Sequence, residues 1–245
     1  MKKITNMLIT AIAIACLSSS VFAIDLPRLG FGGSMSITGI DASGTETDTN
    51  TTGVEASDQA AKVSNNAILG SYYAELSFGD VSFGSAGNGV TFGYQSTPGD
   101  ADVSAEAVSR ADTISVNATA GSTSGRSTYK AQATVGGYET YYMELPIYKA
   151  LYVKAGQSSI DVTSKESATT NGTSGSDASG TYGNTSVDGS NFGIGLKGIT
   201  ASNIVWKIAY EETNFDTVNL TSTTGNKIRA DIDTVAGNIS LGYRF

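Results

Sequence analysis

Eight charged residues sit inside runs that otherwise alternate apolar with small or polar side chains: Glu75, Lys130, Glu144, Lys154, Lys197, Lys207, Glu211 and Arg244. In an extended chain each falls on the polar side of its run, opposite Leu, Ile, Val or an aromatic residue. Five basic and three acidic groups on such faces support two kinds of chemistry. They pair with one another in a closed interior, or they line a water-filled path for small polar solutes. The chain offers little else of that weight. It has no histidine, which removes the commonest general base and metal ligand and demotes triad and dyad hydrolysis. No catalytic residue, cofactor site or metal site is expected. The acids Asp41, Glu46 and Asp48 match no strong calcium spacing and read as a solvated loop.

The elements that carry these charges are strands. Residues 235–245 read VAGNISLGYRF, with Val235, Gly237, Ile239, Leu241, Tyr243 and Phe245 on one side and Ala236, Asn238, Ser240, Gly242 and Arg244 on the other. The same period of two marks 29–39, 68–78, 129–145, 151–155, 191–197 and 204–211, and a less regular strand through Val81, Phe83, Val90, Phe92 and Tyr94. There, residues 85–89 (SAGNG) read as a bulge, since an inserted residue exchanges the faces. Residues 227–233 alternate out of phase with 235–245, which predicts an upward extension through a second bulge. The count is eight strands; a ten-strand count stays open through 113–117 and the Gly136-Gly137 break. Connections alternate long and short, with polar long stretches at 41–66, 96–125, 163–189 and 214–226, read as loops.

That rhythm, with alternating strands, predicts an all-β, antiparallel up-and-down transmembrane barrel. Two aromatic bands support it: Tyr72, Tyr94, Tyr129, Phe192 and Tyr210 near one end, and Phe31, Phe78, Phe83, Tyr141, Tyr243 and Phe245 near the other. A secreted β-sandwich would alternate similarly but needs neither the loop rhythm nor the bands. The Gly and Ser face of 29–39 leaves space for a channel or for close packing.

Residues 1–23 read as a secretory signal peptide: Lys2 and Lys3, a short apolar core, then Val21-Phe22-Ala23 as a cleavage site. The barrel domain is then 24–245. The single cysteine, Cys16, lies in the leader; lipidation there is the lesser reading. Removing Lys2 and Lys3 from fifteen basic residues leaves thirteen against twenty-three acidic ones, about −10, which argues against nucleic acid as a partner.

The closing SLGYRF of residues 240–245 resembles the last strand of bacterial outer-membrane barrels, and the chain resembles the small barrels grouped with OmpA, OmpX and OmpW. The segments YVKAG (152–156), FGIGLK (192–197) and NKIRADID (226–233) are similar to those of small porin-like barrels. The resemblance implies localisation in a cell outer membrane, contact with its lipid, a monomer or weak oligomer, and Tyr243 and Phe245 as a signal for the assembly machinery. It implies no agreed substrate; with histidine missing, the residues themselves read as a non-enzymatic structural or surface role, with a porin-like channel as the alternative.

Overall fold

The computed structural model describes residues 27–47, 59–78, 89–114, 125–171, 182–223 and 225–245, and every helix-or-strand element among them is a β-strand. In chain order these are β1 (Arg28–Thr47), β2 (Gln59–Phe78), β3 (Val90–Thr97), β4 (Ala101–Asp102), β5 (Val108–Ile114), β6 (Gly125–Tyr148), β7 (Leu151–Asn171), β8 (Thr185–Ile199), β9 (Ile204–Phe215), β10 (Val218–Thr221) and β11 (Lys227–Arg244). Eight of them, β1, β2, β3, β6, β7, β8, β9 and β11, form an antiparallel ring in which β1 pairs with β11. The fold is a closed up-and-down barrel of eight staves. β4 and β5 continue the line of β3 along β6, so the stretch to Ile114 adds no stave to the ring. Residues 1–26, the strand residues expected at Val81 and Phe83, and most of the glycine-rich 85–89 stretch lie outside the described residues.

One end, called lower here, holds the tight turns between β6 and β7 and between β8 and β9. Lys149 and Asn203 adopt positive φ there, at 50° and 61°. From this end to mid-height the outer wall is apolar. Phe31, Met35, Ile37, Ile68, Leu76, Ile194, Ile208, Ile239 and Leu241 all stand exposed on it. Rings border this belt: Phe31, Phe78, Phe92, Tyr243 and Phe245 below, with Phe31–Phe245 and Phe78–Phe92 centroids 6.3 and 5.8 Å apart. Tyr72 and Tyr210 stand above. Tyr141 corrects the expected bands: it pairs in register with Tyr94, ring to ring at 5.0 Å, and so belongs above. The Tyr129 side chain and Phe83 lie outside what is described.

Above the belt the barrel turns inside out. Ile40, Ile160, Val162, Val187, Phe215, Val218 and Ile232 are buried inside it, and Asp41, Asp161, Asp188 and Asp233 stand exposed outside. In β11 the apolar positions are odd-numbered from Val235 downward and even-numbered at Ile228, Ala230 and Ile232. The register with β1 nevertheless runs unbroken from Gly30↔Arg244 to Thr47↔Lys227. The bulge expected above residue 235 is therefore absent: the strand is continuous, and the surroundings of its two faces exchange. The same exchange separates Ile37 from Ile40 in β1, Val153 from Ile160 in β7 and Tyr210 from Phe215 in β9.

β6 is the exception that carries a bulge. Its register with β7 shifts between Gly136 and Glu139, with Gly137 at φ 57°. The added residue exchanges the faces at the level where the environment also exchanges. Odd-numbered residues on both sides of the bulge are therefore mostly apolar, facing the core as Ala133 and Val135 and facing outward as Tyr141, with Glu139 at the bulge itself the exception. A glycine fits the bulge, because a Cβ on Gly137 would stand 2.7 Å from the Asp161 carboxylate.

Much of the stretches expected as loops at 41–66 and 163–189 is strand. β1 and β2 run up to Thr47 and from Gln59, and β7 runs to Asn171. These segments are rich in Thr and Ser with Ile and Val inward, residues that suit a half-buried pleat. The wall also parts there. β2 and β3 pair from Phe78↔Val90 to Tyr72↔Ser96. Above Tyr72, among the described residues, β2 pairs with β1 alone, while β4 and β5 lie along β6. Asn65 Nδ2 donates to the Asp102 carbonyl at 2.8 Å across this seam.

Candidate functional site

The inward face of the lower half is small by sequence: Gly30, Gly32, Gly93, Gly156, Gly193, Gly195 and Gly242 point into the barrel. Each inward tyrosine faces one of them across a strand pair, Tyr73↔Gly32, Tyr142↔Gly93 and Tyr152↔Gly195. An eight-stranded barrel has room for its own side chains and little more, so large groups on one stave need small ones on the next. A Cβ on Gly32 would meet the Tyr73 ring at 2.5 Å. The Gly and Ser face of β1 thus serves close packing.

The register then stacks the charges. Glu75 of β2, Glu144 of β6, Lys197 of β8 and Lys207 of β9 form a four-membered square, each at most 5% exposed. Lys197 Nζ stands 2.7 Å from Glu144 and 3.3 Å from Glu75. Lys207 Nζ stands 2.7 Å from Glu144 and also pairs with Glu75. Two carboxylates and two ammonium groups cancel, and every member meets both opposite charges. Tyr142 donates its hydroxyl to Glu75 at 2.7 Å. Lys197 also reaches Thr91 Oγ1 at 3.2 Å. Beneath the square, Thr91 and Ser77 share a hydrogen bond of 3.0 Å, and Arg244 donates to Ser77 at 3.3 Å.

One layer higher, Lys154 of β7 pairs with Glu211 of β9 at 2.8 Å and donates to Gln95 Oε1 at 3.2 Å. Its ammonium lies 4.2 Å from the centre of the Tyr142 ring, a cation–π contact that leaves no water-wide gap there. Asn191 donates to Glu211 at 3.4 Å and to Thr213 at 2.9 Å. Hydroxyl groups follow: Tyr138 with Thr213 at 2.7 Å, Thr140 with Ser158 at 2.8 Å, Ser36 with Thr38 at 3.1 Å. The apolar core then closes the top of the interior, with Tyr182 donating to Glu46 at 2.8 Å beyond it.

Seven of the eight charges singled out from sequence therefore meet inside the barrel: Glu75, Glu144, Lys154, Lys197, Lys207, Glu211 and Arg244. Lys130 does not. It lies above the β6 bulge, where the faces have exchanged, and is exposed beside Ser109 of β5 and Ser167 of β7. Tyr243 and Phe245 stand on the outer wall at the lower rim with rings 5.0 Å apart, and the Phe245 amide donates to the Leu29 carbonyl at 2.8 Å. Sequence reasoning missed Tyr73, Tyr142, Tyr152, Gln95 and Asn191. For Tyr73, Tyr142, Tyr152 and Asn191 the signal was present as large polar residues on the same parity as the charges of their strand, each paired with a glycine of a neighbouring strand; Gln95 lies on β3, which has no charge. Among the described residues no group of three or more metal-ligating side chains comes together.

No protein-family model matches the chain, and no curated protein matches it. Solved structures do. The attachment invasion locus protein Ail of Yersinia pestis matches at 12% identity over 86% of this chain and 99% of its own, with a TM-score of 0.34. The outer membrane protein OprG of Pseudomonas aeruginosa matches at 10% identity over 89% and 96%, with a TM-score of 0.41. The outer membrane protease OmpT of Escherichia coli matches at 9% identity over 93% and 100%, also at 0.41. At these identities no function passes from any of them to this chain.

Proposed function

We propose that the protein is a non-enzymatic outer-membrane barrel with a sealed interior, a scaffold that holds the upper ribbons and their connections outside the bilayer. The observation that carries this reading is the pairing of an exposed apolar belt with an ion-paired lumen. An apolar outer wall closed on itself is the solution by which strands cross lipid, because the ring leaves no backbone edge unsatisfied. The outward apolar run of β11 spans about eleven residues, the length a tilted strand needs to cross. Inside, the neutral square and the Lys154–Glu211 pair use the charges that would otherwise line a path for ions. The upper core adds a second closure of different chemistry. The surface partner is bilayer lipid, and the rim residues Tyr243 and Phe245 suit recognition during insertion. The missing histidine fits a non-catalytic role.

Planar-bilayer recording on refolded protein, with folding shown by gel shift, tests the reading. Wild-type protein gives no stable ohmic steps. Steps whose size changes on charge reversal at Lys154 or Lys207 would replace the scaffold with a porin-like channel.

A further inference from the structure

Between the Lys154–Glu211 layer and the apolar core, the interior packing leaves a small cavity. A water centre has about 20 Å³ in which to move there, enough for one or two molecules. The lining is polar: Thr140, Thr213, Asn238 and the Glu211 carboxylate contribute to it. Asn191, bonded to two of these residues, lies behind the lining, and among the described residues its Oδ1 meets no protein donor. An apolar guest would shield these polar groups from any further hydrogen bond, whereas water can donate to the Glu211 carboxylate and exchange hydrogen bonds with the hydroxyls and the Asn238 amide. Leu69 and Thr97 also line it. They stand on β2 and β3 just above Tyr72↔Ser96, where the ladder between those strands ends and the seam begins.

We infer that this cavity is a hydrated site entered from the side, through the seam between β2 and β3, at the upper border of the apolar belt. The charged layers close the route from below and the apolar core closes it from above. Among the described residues, the seam is the place where the wall lacks a strand ladder. Water held there bridges the Glu211 layer to the hydroxyl layer and keeps that carboxylate solvated as well as paired. The inference goes beyond the sealed-scaffold reading, because a barrel silent to ions still has a wet flank.

Cysteine accessibility tests it in the full chain carrying Cys16→Ser, refolded into phosphatidylcholine vesicles and checked by gel shift. Thr97→Cys is close to isosteric and places a thiol on the cavity wall beside the seam. Ile160→Cys places one in the apolar core as a reference. The probe is a small, cationic, water-soluble methanethiosulfonate. Thr97→Cys reacts at least about tenfold faster than Ile160→Cys while conductance stays silent. Equal, slow rates at both positions in folded protein would overturn the inference. Rapid reaction accompanied by ohmic steps would overturn it too, since the reagent would then have arrived along the lumen. Leu69→Cys, on the opposite lip of the seam, supplies the same readout if Thr97→Cys fails to fold.

Discussion

The two halves of this barrel use one alternating pattern with opposite meaning. Below mid-height Ile239 and Leu241 face outward, 66% and 64% exposed, while Lys207 and Glu144 are buried inside. Above it Ile232 and Ile40 are buried inside, 3% and 1% exposed, while Asp233 and Asp41 face outward. The same strand, β11, supplies both Ile239 and Ile232 with no break in its ladder. Hydrophobicity therefore does not mark the inside of this molecule. It marks the outer wall below and the core above, and the change of phase along each strand records where the exposed apolar belt ends.

The strongest way to break the contrast is to remove one corner of the square. Lys207→Met leaves Glu75 and Glu144 facing each other with Lys197 between them and Arg244 a layer below, so the square loses one of its two ammonium groups. Loss of one partner from a buried pair costs ~3–5 kcal/mol. The double variant Lys207→Met with Glu144→Leu keeps one positive and one negative member and is expected to cost well under the sum of the two singles. Urea unfolding of the vesicle-bound protein, followed by tryptophan fluorescence, gives both values. Additive losses would show that the four groups do not act as a unit.

A smaller effect sharpens the comparison directly. Ile232→Ala opens a hole in the upper core and costs ~2–5 kcal/mol. Ile239→Ala, seven residues along the same strand, removes the same atoms from a face that lipid can re-cover, and is expected to cost clearly less. A reversed order in the same unfolding experiment would mean that the belt is packed against protein, and would move the bilayer boundary assigned to β11.

The ring of eight staves was legible because period-two alternation survives in every stave that crosses the belt. The interior charges were legible for a related reason: a charge on the polar parity of such a strand has nowhere to go but inward. Lys130 shows where that logic stops, since a bulge between Gly136 and Glu139 moves its face outward without disturbing the apolar parity of β6. Residues 227–233 show the converse. Their phase change reads as a bulge when the outer wall is taken as apolar along the whole strand, whereas in the structure it is apolar below and charged above. The upper strands read as loops in the sequence because Thr, Ser and Asp dominate them; the inward Ile40, Val63 and Ile160 that anchor them are too widely spaced to stand out. The tyrosine-on-glycine packing needs the register between staves, which composition does not carry.

The smallest effect lies at the border itself. Asp41 and Asp233 oppose each other in register on the outer wall, with Asp231 and Glu212 nearby. Partial burial, then repulsion from Asp231, Glu212 and Asp41, holds the Asp233 carboxyl above the usual carboxylate range. An acid whose folded pKa is raised above its unfolded one favours folding more as protons bind. Stability should therefore rise as pH falls through the folded value and level off below the unfolded value near 4. At neutral pH, Asp233→Asn is expected to slow amide exchange modestly along the β1–β11 ladder above Val235, leaving the ladder below it unchanged. The difference between variant and wild type should fade as the buffer is taken toward pH 4. Hydrogen exchange read separately on residues 228–234 and 236–243 checks both halves of this expectation. A variant that slows both segments equally would show that the border carboxylates act on the whole barrel, and that the two regions do not respond separately to charge.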